Sequence, residues 1–108
     1  MGIEANIEIC ELFDTYGNLL TEKQQQMIKD YYYCNTSLSE IAEIYGVSRQ
    51  AVRDIISRSV QSLHDYENKL GIVAKNGELT KSLNELYTKE TNTTQKQKIQ
   101  RIIAKIKE

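Results

Sequence analysis

Proline and tryptophan are absent from this chain, and it has one phenylalanine, one histidine and two cysteines. Without proline, nothing in the sequence breaks a helix outright. A lone histidine and no Gly-rich phosphate loop, GxSxG elbow, HExxH or Walker pattern leave the usual enzyme chemistries without residues to carry them. Cys10 and Cys34 form no CxxC and stand in no cluster of ligand-type residues. They make neither a disulfide framework nor a zinc site, and read as small buried apolar residues. No cofactor is implied. No apolar run approaches the ~18 residues of a membrane span, and the N-terminus lacks a basic-then-apolar signal pattern. The cytoplasm is therefore the expected compartment. What remains is 108 residues, 40% hydrophobic and 27% charged. That is enough for one small core, or one small domain with an extension.

Charge is unevenly spread. Residues 1–47 hold eight acids and two bases, a net of −6. Residues 71–108 hold eight bases and four acids, a net of +4. The overall charge of −1 conceals this, and association follows the local field rather than the total.

The periodicity predicts an all-α chain. Ile3, Ile7, Cys10 and Phe13 recur at helical spacing until Gly17. Thr21 with Gln24 fits a capping box, predicting a second helix to about Tyr33 that buries Met27, Ile28, Tyr31 and Tyr32. Ser37 with Glu40 opens a short third helix, which Gly46 ends. Ser48 caps a fourth that continues to Leu70 and Gly71. That helix is longer than a small domain needs, so its apolar stripe of Val52, Ile56, Leu63, Tyr66 and Leu70 must be covered, with Ser59 its weak position. A loop is expected at Lys75–Asn76–Gly77, then a fifth helix with Leu79, Leu83, Leu86 and Tyr87. A polar linker at 91–95 should precede a basic last helix carrying Ile99, Ile102, Ile103 and Ile106. The domain reading is a first, helical domain at 1–70 and a helical extension at 71–108 serving oligomerisation or packing.

The informative stretch is 38–57, LSEIAEIYGVSRQAVRDIIS. A helix-turn-helix needs a small residue where its two helices cross, and Ala42 is there. It needs a left-handed residue in the turn, and Gly46 is there. Ile41, Tyr45, Val47, Val52 and Ile55 can pin both helices to a third. The second helix of such a motif enters the major groove by its first turns. Its outward positions are Ser48, Arg49, Gln50, Arg53 and Asp54, with Arg58 farther along. Arg pairs with guanine and Gln with adenine, while a capping Ser leaves backbone N–H groups for a phosphate. Asp54 must accept from a cytosine or pair with a nearby Arg. Against this, Arg49 and Arg53 are also compatible with plain solvated charges, and His64 and Tyr31–Tyr33 with ordinary packing.

Three segments carry a family resemblance: LFDTYGNLLTEKQQQMIKDYYY at 12–33, SLSEIAEIYGVSRQAV at 37–52 and YENKLG at 66–71. Together they resemble the YlxM-like family of small helix-turn-helix proteins, from about Leu12 to Leu70. The same stretch looks like the promoter-reading region four of bacterial sigma factors. The resemblance implies a sigma-region-four-like fold of four helices, bacterial cytoplasm, and a link through gene order to the signal recognition particle pathway. The chain departs from the family in having Arg53 where an aromatic is common, and Ile55 where a polar residue is.

Two function classes follow. One is a non-enzymatic regulator of transcription that binds double-stranded DNA as a homodimer. Its dimer or packing stripe would be Ile56, Leu63, Tyr66 and Leu70 with Leu83, Leu86, Ile99 and Ile103, unless the tail folds back over that stripe. The other is a protein- or RNA-interaction module of the signal recognition particle, docking on its GTPase or RNA through the acidic half and the basic tail.

Overall fold

The computed structural model describes residues 3–107, with side chains from Asn6 onward. All its regular elements are helical: α1 (Ile3–Tyr16), α2 (Glu22–Ile28), α3 (Leu38–Tyr45), α4 (Arg49–Leu70), α5 (Ile72–Lys89) and α6 (Thr93–Lys107). The chain divides into two compact units at Leu70–Gly71.

In the first unit, local chemistry sets the helix boundaries. A short 3₁₀ turn, Gly17–Leu19, follows α1. Thr21 then caps α2 reciprocally with Gln24, each side chain accepting the other's backbone N–H at 3.0 and 3.2 Å. Beyond Ile28 the helix widens into a π turn over Lys29–Tyr33, closed by the Cys34 N–H on the Lys29 carbonyl at 3.0 Å. Asn35 follows with φ 54° and lets the chain reverse. Cys34 is consequently exposed and Cys10 only half-buried, so the expectation of two buried thiols fails for Cys34. Ser37 caps α3 through the Glu40 N–H at 3.1 Å. Gly46 ends it at φ 66°, ψ 35°, the left-handed region where a side chain is penalised.

The core forms where α2, α3 and α4 meet: Met27, Ile28, Ile41, Ala42, Val52 and Ile56. Phe13, Tyr31, Tyr45 and Val60 pack around it. Ile9, Leu12 and Tyr16 of α1 are buried too, as are Ser59 and Leu63 of α4. This resolves the question of the long fourth helix. At 22 residues it spans roughly 33 Å, and α1 packs against it. The Tyr16 hydroxyl donates to Glu67 Oε1 at 2.6 Å, and its ring meets Tyr66 at 6.0 Å. The stripe is therefore covered inside its own unit. Ile56 and Leu63 are core residues rather than dimer contacts, Tyr66 is half-buried, and Leu70 remains exposed. Ser59 lies wholly buried on this face, its Oγ–H donating to the Ile55 carbonyl at 2.7 Å. Its weakness as an apolar position is answered by that bond.

The second unit is a helix pair. The loop expected at 75–77 does not exist, because α5 runs unbroken from Ile72 to Lys89. Gly77 takes no positive φ there, and a single exposed glycine costs a helix only about 1 kcal/mol. The expected linker at 91–95 contracts to residues 90–92. Asn92 is the reason, since its side-chain oxygen accepts the Gln95 N–H at 3.2 Å and starts α6 early. Leu83, Ile99 and Ile103 are half-buried, and Leu86 is exposed. Neither α5 nor α6 has a buried residue among those described.

Candidate nucleic-acid interface

The helix-turn-helix is α3, the Gly46 turn and the first half of α4. Ala42 is buried where the two helices approach, and its carbonyl accepts the Val47 N–H at 3.1 Å, fixing the turn. Val47 packs on the core and delivers Ser48 to the surface. Ser48 Oγ accepts the Ala51 N–H at 3.0 Å and so begins α4. The N–H groups of Arg49 and Gln50, ahead of the first full helical turn, face solvent.

All six residues singled out from the sequence, Ser48, Arg49, Gln50, Arg53, Asp54 and Arg58, are exposed. They do not form one uniform patch. With about 100° of rotation per residue, Gln50, Asp54, Ser57 and Gln61 form the line directly opposite the buried face, Arg49 and Arg53 one flank, and Arg58 the other. Asp54 accepts the Gln50 amide N–H at 3.0 Å. That one-turn bond turns the Gln50 amide N–H toward Asp54. Ser57, which the sequence reading passed over, lies on this outward line and is exposed. Its signal was available in the same helical period.

Arg53 has a second neighbourhood. It lines an open groove of about 410 Å³ with Ile9, Tyr31, Tyr32, Leu38, Ser57 and Val60. Tyr31 and Tyr32 stand edge-to-face there at 5.0 Å. Burial, then the neighbouring Tyr31 and Cys10, push the Tyr32 phenol up. Tyr31 and Tyr32 are half-buried against the core, while Tyr33 is 46% exposed and its hydroxyl donates to Asp14 Oδ1 at 2.9 Å. His64 is half-buried. Among the described residues no group of His, Cys, Asp and Glu could hold a metal ion, and no helix is long and apolar enough to cross a membrane.

A short helix, a left-handed glycine turn and a capped second helix with a polar outward face define a helix-turn-helix protein. A family model described as "Putative helix-turn-helix protein, YlxM / p13 like" matches residues 3–104, and the chain belongs to that family. The match reaches past Leu70 into α5 and α6, farther than the resemblance read from the sequence. A UPF0122 protein of Symbiobacterium thermophilum is 51% identical over 72% of this chain and 73% of its own length. One of Desulforamulus reducens is 53% identical over 69% of this chain and 64% of its own length, just under two thirds. One of Fusobacterium nucleatum is 41% identical over 83% and 90%.

Proposed function

We propose that this protein is a non-enzymatic regulatory protein that binds double-stranded DNA with the first turns of α4 in the major groove. One observation carries the reading: the outward face of α4 from Ser48 to Arg58 is wholly polar, exposed and mounted on a rigid core. In this reading Arg49, Gln50 and Arg53 meet base edges, and Ser48 and Arg58 meet phosphates. Gln50, tied to Asp54, offers an acceptor oxygen and one remaining N–H, which suits adenine.

A second copy fits the half-site logic of such motifs. Supporting it, Leu79 and Leu86 of α5 are 54% and 57% exposed. Light scattering on the eluting protein checks this, with a dimer expected at tens of micromolar.

The test of DNA binding is fluorescence anisotropy against a random duplex pool and signal recognition particle RNA. Salt-sensitive duplex binding, lost in Arg49→Ala/Arg53→Ala, is the expected result. RNA binding without duplex binding would instead make the chain a protein- or RNA-interaction module of that particle, with the helix-turn-helix as scaffold.

A further inference from the structure

We propose that α6 is a second nucleic-acid contact, in which Lys98, Arg101 and Lys105 lie along the phosphate backbone of duplex DNA. The proposal rests on the DNA-binding reading of the helix-turn-helix and adds a separate surface to it.

The spacing of three and four residues puts these cations on one stripe of α6. All three are exposed. None has a carboxylate partner among the described residues, and α6 itself contains no acid. Over seven residues of helix the stripe is about 10 Å long. The opposite side of α6 is engaged with α5, where Lys96 sits over the Tyr87 ring at 4.9 Å and the Gln100 amide donates to the Tyr87 hydroxyl at 3.1 Å. Ile99, Ile103 and Ile106 are half-buried. The stripe is thus held outward by the packing behind it.

The helix-turn-helix supplies the complementary argument. In such motifs the first helix crosses the sugar–phosphate backbone. Here that helix is α3, which carries exposed Glu40 and Glu43 and no lysine or arginine. The whole stretch before Ser48 is acidic. The element that ordinarily meets phosphates therefore repels them, and in the first half of α4 only Arg58 is left for that task after Arg49 and Arg53 face bases. A chain with this deficit in its first unit carries in its second a cationic stripe able to supply the phosphate contacts that the first lacks. A membrane surface fits less well, because it would need the isoleucine face that α5 occupies.

The experiment measures duplex affinity against salt for the full chain, for Lys98→Gln/Arg101→Gln/Lys105→Gln, and for the charge-keeping Lys98→Arg/Lys105→Arg. Gln keeps helix propensity at these exposed positions, and circular dichroism verifies the fold. The triple variant should have a log–log salt slope shallower by about 3 × 0.9. Between roughly 50 and 200 mM salt, the wild type should then lose about 40-fold more affinity than the variant does. The loss should be uniform across duplex sequences, and the arginine variant should keep the wild-type slope. A wild-type slope in the triple variant overturns the proposal, as does a loss confined to RNA. If Arg49→Ala/Arg53→Ala binds like wild type while the triple variant weakens, the groove-reading role of α4 fails and the α6 contact stands. No duplex binding by the wild-type chain at low salt overturns both.

Discussion

At the scale of single residues, the bond between Gln50 and Asp54 is the most consequential local feature of the reading face. It spends one of the two Gln50 amide hydrogens and keeps a carboxylate on the line that would face the groove. In the proposed DNA complex Asp54 would act in two ways, orienting Gln50 while opposing phosphate. Replacing it with Ala should raise affinity for random duplex about threefold to tenfold at low salt, and flatten the preference among sequences. Parallel binding-site selection with both proteins measures this; unchanged preference would show that Asp54 has no part in reading. Tyr33 gives a different residue-scale prediction. Burial, then its hydrogen bond to Asp14, hold its phenol above the ordinary tyrosine value of 10.0. The folded state thus keeps this proton more tightly than the unfolded chain. Its contribution is complete below about pH 10 and is lost as pH rises through the folded value. Urea unfolding of Tyr33→Phe should show a weaker fall in stability above about pH 10 than the wild type.

Among the elements, boundaries set by side-chain capping were the legible ones. Thr21, Ser37, Ser48, Gly46 and Gly71 each stand where the sequence indicates, because a cap is a local contact between residues three or four apart. The errors came where glycine or polar residues were read without their context. Gly77 is helical because both sides continue as helix. Asn92 shortens the linker because it caps. The widened turn at Lys29–Tyr33 leaves no sequence mark, since it depends on backbone bonds alone, from Cys34 to the Lys29 carbonyl and from Thr36 to the Asp30 carbonyl. Two substitutions separate these cases. Gly46→Ala meets no atom within 4 Å, so its cost is backbone strain alone, about 1–2 kcal/mol, and Gly46→Asn should recover part of it. Gly77→Ala is equally uncrowded but helical, and should stabilise by about 0.5–1 kcal/mol. Urea midpoints decide both; equal signs at the two positions would contradict the conformations described. For the candidate site, what was legible is exposure: Ser48, Arg49, Gln50, Arg53, Asp54 and Arg58 all lie at the surface, as the helical period indicates. Its internal bond was not, because the sequence spacing permits the Gln50–Asp54 pair without requiring it.

For the molecule as a whole, the two units differ in what they bury. Residues 1–70 contain every fully buried side chain among those described, while the α5–α6 pair contains none. A chain of residues 1–70 alone should therefore unfold cooperatively on heating, and a peptide of 71–108 should lack a sharp transition at low concentration. Calorimetry on the two pieces tests this; a sharp, concentration-independent transition in the shorter one would refute it. The long fourth helix also explains why the whole-molecule reading was hardest from sequence. Its stripe demanded a cover, and periodicity alone gives no way to choose between α1, the tail and another chain.

The same helix behaves as a shaft seated along its length: Val52 and Ile56 lock its first turns into the core, and Tyr66 and Glu67 are tied to Tyr16 near the other end. A shaft clamped in this way cannot roll about its own axis without dragging α1 with it. Since one residue of roll amounts to about 100°, even a fraction of that would carry Gln50 off its aim. α1 therefore shares in setting the heading of the face from Ser48 to Arg58, through the burial of Leu12 and Tyr16 as well as through the Tyr16–Glu67 bond.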